Sequence, residues 1–267
     1  MAVSFSSYGF QTASPVSWRR WRAAASTVEE VEIRVCVNRS CGRQGSREML
    51  AVLSALAPTG IAVTSCGCLG RCGAGPNLAV LPAGFLVSHC GTASRAAQLL
   101  ADLCGSAFDP QRNLEAFTLR KKGENELEKG NAAEAEALLS QAIGLEPSGG
   151  LHYIYKSRSS ARLAIGDNAG AFDDANEASR IDSKYPQAYV CQGDVFLARG
   201  EWDAAEKAYS TALQLDPSIR RSKSFKMAVQ HQREGRRRRE RRRRRTIAGD
   251  QPSSSGPHGL PAPVGAR

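Results

Sequence analysis

Three consecutive segments of 34 residues carry small residues at the same positions, and this period constrains the fold more than any other feature. The segments are 116–149, 152–185 and 186–219. Glycine occupies the fifteenth position of each segment and alanine the twentieth and twenty-seventh, which gives Gly130, Gly166, Gly200, Ala135, Ala171, Ala205, Ala142, Ala178 and Ala212. Small side chains recur where two helices approach closely, and glycine recurs where a helix ends and the chain turns. The period therefore predicts a stack of helix pairs.

The third segment carries the fullest version of a known pattern, with Tyr189, Gly193, Phe196, Trp202, Ala205, Tyr209, Ala212 and Pro217. It resembles the tetratricopeptide repeat, a helix-turn-helix unit of 34 residues. The middle segment departs from this pattern at Ser159 and Arg162. The resemblance implies an all-α superhelix of three repeats over residues 112–232, in which residues 222–232 form a capping helix. It also implies a concave groove for a protein or peptide partner.

Basic side chains in the first two repeats are candidate partner-binding residues, because the basic grooves of some tetratricopeptide domains bind C-terminal carboxylates. The candidates are Lys121, Lys122, Lys156, Arg158 and Arg162. The alternative is that they lie on solvated helix faces and pair with neighbouring acidic residues, Glu124, Glu126 and Glu128.

Seven of the eight cysteines lie between residues 36 and 104. Because the chain has no secretory signal, this clustering favours metal or redox chemistry over a disulfide framework. Two pairs have short spacing: Cys36 with Cys41, directly after an alternating strand-like run, and Cys68 with Cys72, before a Gly-Pro segment. The others, Cys90, Cys104 and Cys191, fall in apolar surroundings and are expected to be buried as small hydrophobic residues.

The region around these pairs has the pattern of a small α/β domain. Strands are predicted at residues 31–35 and 61–64, a helix at 45–57, a hairpin at 78–87 around Pro82, and a closing helix at 94–104. This order predicts an α/β sandwich in which both cysteine pairs lie on loops at strand ends.

With these loops, the region resembles the thioredoxin-like [2Fe-2S] ferredoxins, in which two cysteines follow the first strand and a Cys-Leu-Gly-x-Cys loop supplies the second pair. The resemblance implies a thioredoxin-like ferredoxin domain over residues 29–107, with Cys36, Cys41, Cys68 and Cys72 as the four thiolate ligands of a [2Fe-2S] cluster. Cys66 is a possible substitute ligand. Structural zinc bound by the same four thiolates and a domain without metal are the alternatives.

Residues 1–28 are rich in Ser, Ala and Arg and contain no acidic residue, which is the composition of an organellar transit peptide. We therefore expect a chloroplast location, with the mitochondrion as the alternative. At the other end, residues 233–267 are expected to form a disordered tail that is first rich in Arg and then in Pro, Ser and Gly.

The net charge of +10 comes from the two ends, since residues 29–219 carry 18 basic and 23 acidic residues. The tract that includes Arg236, Arg237, Arg238 and Arg239 could attract nucleic acid or anionic lipid, or act as a nuclear localisation signal. No aromatic residue is interleaved with it to stack on bases, so a solvated extension without a partner is the alternative.

The chain shows no Ser/His/Asp set, Walker loop or dinucleotide fingerprint, and its four histidines stand alone in the sequence. An enzyme with its own catalytic machinery is therefore not expected. The two regions together predict an organellar protein-interaction factor that carries a [2Fe-2S] cluster and supports the redox chemistry or assembly of a larger complex. The alternative is a non-redox adaptor with a structural four-cysteine zinc site that binds nucleic acid through its Arg-rich tail.

Overall fold

A four-stranded sheet is built on the alternating run that begins at Val31. In this computed structural model, which describes residues 31–221 and 223–249, Ile33 and Val35 are fully buried while Arg34 is exposed on the opposite face. This alternation is the one that successive side chains of a strand produce. The strands are β1 (Val31–Cys36), β2 (Ile61–Cys66), β3 (Leu78–Leu81) and β4 (Phe85–Val87).

The strand order in the sheet is β2-β1-β3-β4. β1 and β2 are parallel, with Val31 opposite Ile61 and Cys36 opposite Cys66, whereas β3 is antiparallel to both β1 and β4. A parallel pair needs a crossover connection, and the helix between β1 and β2 supplies it. The expected hairpin around Pro82 is present.

The sheet is covered on one face by helices α2 (Ser46–Leu56) and α3 (Ala93–Cys104), and a short helix, α1 (Arg39–Arg43), follows β1. The core between the sheet and these helices contains Ile33, Val35, Leu53, Leu56 and Leu100, each at most 1% exposed. The order of strand, helix, strand, hairpin and helix is confirmed. α1 was not predicted, and β2 extends two residues further than expected, to Cys66.

Six helices follow in three antiparallel pairs. They are α4 (Pro110–Glu128), α5 (Ala132–Gly144), α6 (Leu151–Ile165), α7 (Asn168–Ile181), α8 (Pro186–Ala198) and α9 (Trp202–Leu215). Gly130, Gly166 and Gly200 lie between the two helices of each pair with φ of 90°, 94° and 74°, as the repeat period predicts. The recurring alanines of α5, α7 and α9 are fully buried (Ala135, Ala142, Ala171, Ala178, Ala205 and Ala212). We call α4, α6 and α8 the inner helices, since α6 contacts both α4 and α8 directly.

The capping segment is part of a much longer helix, α10 (Lys223–Gly249). Phe225 is 4% exposed and packs edge-on against Tyr209, at 5.5 Å between ring centroids. The expected disordered tail is therefore corrected for residues 233–249, which continue this helix. Arginine is a good helix former, and the Glu240–Arg244 ion pair at 3.1 Å has the i,i+4 spacing that stabilises helices. The predicted transit peptide and the Pro/Ser/Gly-rich end lie outside the described residues.

None of the helices in the described part of the chain is long and apolar enough to cross a membrane.

The sheet region and the repeats meet at the turn before α6. Pro58 forms an isolated β-bridge with Gly149, and the Ser148 Oγ donates to the carbonyl of Ala107 at 3.1 Å. The Gly149 N–H donates to Asn113 Oδ1 at 3.2 Å, and Asn113 is 1% exposed. The first repeat is therefore fixed against the sheet region by these polar contacts as well as by apolar packing.

Candidate functional site

The two cysteine pairs lie near the ends of β1 and β2, but only the second pair lies on a loop, as both were predicted to do. Cys36 ends β1 and Cys41 lies on α1, and both are 1% exposed. Cys68 and Cys72 lie on the exposed loop after β2, with their Sγ atoms 3.4 Å apart. The second pair is therefore already at contact distance, and it faces solvent.

Three hydrogen bonds tie the loop of Cys68 and Cys72 to the segment of Cys41. The Ser40 Oγ donates to the Cys72 carbonyl at 2.6 Å. The Asn77 side chain donates both to Cys41 Sγ at 3.4 Å and to the Arg71 carbonyl at 2.7 Å, and Asn77 is 2% exposed. Because these bonds join one cysteine-bearing segment to the other, the two pairs are held on the same side of the sheet.

Hydrogen bonding favours the thiolate form of Cys68 and the thiol form of Cys72. The Gly70 N–H donates to Cys68 Sγ at 3.4 Å and lowers the pKa of the Cys68 thiol. The hydrogen bond to Cys68 raises the pKa of Cys72. Burial raises the pKa of Cys66, and the neighbouring Cys36 adds to this effect.

The spacing of the exposed pair fits two ligands of one tetrahedral metal ion. Metal–sulfur bonds of about 2.3 Å at tetrahedral angles place two thiolates about 3.8 Å apart, close to the observed separation. Gly75 approaches Cys41 so closely that an added Cβ would lie 3.1 Å from its Sγ, so a side chain there would crowd this thiol. Within residues 31–221 and 223–249, no three Cys, His, Asp or Glu side chains surround a common point as metal ligands do. Of the four predicted ligands, only Cys68 and Cys72 are at ligand spacing, and within the described residues the four thiols do not surround one point.

The remaining cysteines lie elsewhere. Cys66 is opposite Cys36 in the parallel register, so it lies beside the predicted ligand set on a neighbouring strand. Cys90 is fully buried, with its Sγ 4.0 Å from the Met49 sulfur, and burial raises its pKa to about 11. Cys191 is buried between inner helices, whereas Cys104 is only half-buried at the end of α3.

The five candidate basic residues of the repeats are not brought together. Arg158 binds Asp174 of α7 through two hydrogen bonds of 2.7 and 2.9 Å, and Arg162 lies 3.1 Å from the same carboxylate. Arg162 also contacts Glu136 of α5 at 3.3 Å. These two arginines join an inner helix to its neighbours, which differs from the expectation that they bind a peptide.

The three lysines have different surroundings. Lys121 and Lys122 are exposed on α4, and the Lys121 Nζ lies 2.9 Å from Glu124. Lys156 is half-buried on α6, and none of the described carboxylates forms an ion pair with it. Lys156 is therefore a half-buried cation without an ion pair among the described residues, although its charge lowers the pKa of Asp194 on the neighbouring inner helix.

The sequence identified Glu124 only as a pairing partner of the neighbouring basic residues, and it did not identify Asp194 at all. Glu124 accepts hydrogen bonds from Arg120 at 2.8 Å and from Ser157 at 3.0 Å, which links α4 to α6. Asp194 on α8 accepts a hydrogen bond of 2.6 Å from the Tyr209 hydroxyl, and burial raises its pKa to about 6. Asp194 is the one charged residue of α8, and an acidic residue in the middle of an otherwise uncharged helix is the signal that could have identified it.

The chain combines three stacked helix pairs with a small α/β domain. This architecture is that of a helical repeat protein with an additional cysteine-bearing domain. The family model described as "Tetratricopeptide repeat" matches residues 186–219. Residues 186–219 are therefore a tetratricopeptide repeat, and the three helix pairs of the predicted superhelix are present in the structure.

Curated relatives match part of the chain. It is 30% identical over 103 residues to the Small glutamine-rich tetratricopeptide repeat-containing protein 2 of Mycosarcoma maydis, covering 39% of this chain and 29% of the relative. It is 31% identical over 99 residues to the Hsp70-Hsp90 organizing protein of Triticum aestivum, covering 37% and 17%. The chain thus spans less than a third of the length of these relatives. Their names are those of repeat-containing and organizing proteins rather than enzymes, in agreement with the prediction of a non-catalytic chain.

Solved structures with similar helices include the Sgt2 TPR domain from Aspergillus fumigatus, with a TM-score of 0.44 and 20% identity, covering 59% of this chain and 96% of that one. Another is the first TPR of Spaghetti (RPAP3) bound to the HSP90 peptide SRMEEVD, with a TM-score of 0.41 and 24% identity, covering 50% and 97%.

Proposed function

We propose that the chain is a non-catalytic adaptor that binds an acidic protein segment along its inner helices. The observation that carries this proposal is Lys156, a half-buried cation on the middle inner helix that forms no ion pair within 4 Å with the described carboxylates and acts on Asp194 only from a longer distance. Burying a charge without such a partner is costly, so an incoming carboxylate would gain a strong charge-assisted hydrogen bond there.

Calorimetric titration of the full chain with the acidic peptide SRMEEVD tests this proposal. We expect saturable binding, and we expect Lys156→Gln to weaken it by at least about tenfold, since a hydrogen bond to a charged group contributes about 1.5–3 kcal/mol. Glutamine keeps the helix propensity of lysine while removing its charge.

The matched control is Lys129→Gln, which removes an exposed charge at the end of α4 that is bonded to Glu126 at 2.7 Å. This variant should bind the peptide as the wild type does. Equal binding of a charge-reversed peptide, SRMKKVK, or equal weakening by both substitutions would contradict the proposal.

We further propose that Cys36, Cys41, Cys68 and Cys72 bind a [2Fe-2S] cluster, with zinc as the competing ion. The 3.4 Å spacing of the exposed pair and the hydrogen bonds that tie its loop to Cys41 support this proposal. Bound there, the cluster would supply one-electron transfer. The chain itself would contribute four thiolates and the Gly70 N–H, which donates to Cys68. This adaptor would then present a redox group, or a metal-stabilised domain, to its partner.

Iron and sulfide analysis of the full chain, purified without oxygen, tests the cluster. We expect about two irons and two sulfides per chain with visible absorption bands, and the loss of all three in the Cys68→Ser/Cys72→Ser variant. Cys104→Ser, which removes a half-buried thiol outside the candidate site, should retain them. One zinc per chain without a chromophore would assign the site to zinc, and no metal after reconstitution would exclude a metal site.

A further inference from the structure

The last helix, α10, begins as part of the repeat domain and is anchored there up to residue 236. Gly235 faces the ring of Trp202 so closely that an added Cβ would overlap it, and the Gln232 side chain donates to the Trp202 carbonyl at 3.5 Å. Arg236 forms ion pairs with Glu206 and Asp203 of α9. The orientation of the helix that follows is therefore set by the third repeat.

Beyond this anchor the helix presents a dense array of positive charge, which we call the arginine helix (residues 236–245). Nine of its ten residues are Arg and the tenth is Glu240. Its described side chains are exposed: Arg236, Arg237, Arg238, Arg239, Arg241 and Arg244. Apart from the pairs of Arg236 with α9 and of Arg244 with Glu240, no ion pair joins these described side chains to a carboxylate.

Consecutive residues of a helix are rotated by about 100° from one another, so the array surrounds the helix instead of forming one basic face. Such a cylinder of charge is most fully neutralised by a partner whose anions approach from more than one side. Like charges three and four residues apart also repel each other, and that repulsion is relieved when the partner binds.

We propose that the arginine helix binds the backbone of double-stranded DNA without sequence preference. Ten residues rise about 15 Å along the helix axis, and a DNA duplex carries about nine phosphate charges over that length, one per 1.7 Å. A helix with its side chains is about 10–12 Å wide, and the major groove of B-form DNA is about 12 Å wide, with phosphates along both walls.

Other polyanions fit this helix less well. A helix that lies in a membrane surface needs an apolar face, and residues 236–245 contain no apolar residue. The major groove of duplex RNA is deep and narrow and does not admit side chains in the same way. The tract also has no aromatic residue to stack on bases, so phosphate contacts would account for the binding.

The salt dependence of DNA binding by the full chain tests this inference. Fluorescence anisotropy with a labelled 20-base-pair duplex is measured between about 50 and 200 mM salt, where each phosphate contact contributes about −0.9 to the slope of log affinity against log salt. The test variant carries glutamine at Arg237, Arg238, Arg239, Arg241 and Arg244. We expect the slope to become shallower by about 4 to 5, whereas lysine at the same five positions should preserve it.

A matched control loses five exposed positive charges outside the arginine helix, through glutamine at Arg43, Arg47, Arg95, Arg112 and Lys184. It should bind DNA with the slope of the wild type. Absence of DNA binding at the lowest salt, or an equal change of slope in the control, would overturn the proposal. Tighter binding to duplex RNA or to phosphatidylserine vesicles than to DNA would also overturn it.

Discussion

Replacing Gly150 with alanine should lower the free energy of unfolding by about 2–5 kcal/mol. Gly150 has a φ of +69°, and a Cβ at this position would overlap the carbonyl oxygen of Ala55 in α2. The left-handed backbone conformation costs an alanine about 1–2 kcal/mol, and forcing an extra carbon into a packed contact costs about 1–3 kcal/mol more. Urea unfolding curves of the two proteins give the difference directly.

Gly166→Ala is the matched control for this prediction. Gly166 has a φ of +94°, but an added Cβ there would meet no atom within 4 Å. Its alanine variant should therefore lose only the backbone contribution of about 1–2 kcal/mol. If the two variants lose the same free energy, the overlap with α2 adds no steric cost at position 150, which would contradict the prediction.

The position of Gly150 illustrates what the sequence could not predict. The 34-residue period specified each helix pair, because small residues at fixed spacing determine which turns of neighbouring helices touch. The contact between Gly150 and Ala55 joins two regions with unrelated patterns, so no periodicity reports it. From the sequence, the pair Gly149-Gly150 between two helices predicts only a turn. The structure shows that this turn also packs against the end of α2.

The candidate metal site was predictable to a similar extent. The spacing of Cys68 and Cys72 predicted that they would meet on a loop, and their Sγ atoms are 3.4 Å apart. Nothing in the sequence marked Ser40 and Asn77 as the residues that tie this loop to the segment of Cys41. Serine and asparagine are common in loops for local reasons, so their long-range hydrogen bonds leave no pattern in the sequence.

The basic residues of the middle repeat show why charge alone is an ambiguous signal. Lys156 and Arg158 are two residues apart, and from the sequence both were candidate partner-binding residues. Side chains two residues apart on a helix do not share a face, so Arg158 reaches α7 while Lys156 does not. Which of the two side chains is available to bind a partner therefore depends on where the acidic residues of the neighbouring helices lie.

This arrangement predicts that Asp174→Ala should lower the free energy of unfolding by about 3–5 kcal/mol. The Asp174 side chain is 4% exposed, and its carboxylate binds both Arg158 and Arg162. Removing one partner of a buried ion pair leaves the other charge buried without compensation, which costs about this amount. Asp173→Ala, a change at the exposed neighbouring position, should alter stability by less than about 0.5 kcal/mol.

A triple variant separates the contribution of the charges from that of packing. Replacing Asp174 with leucine and both Arg158 and Arg162 with methionine removes all three charges and keeps much of the side-chain volume. Because buried ion pairs can often be exchanged for apolar side chains at little cost, this variant should recover most of the stability that Asp174→Ala loses. If it is as unstable as the single variant, the interface depends on the hydrogen-bond geometry of the carboxylate itself. If it recovers, Asp174 is required mainly because two arginines lie beside it.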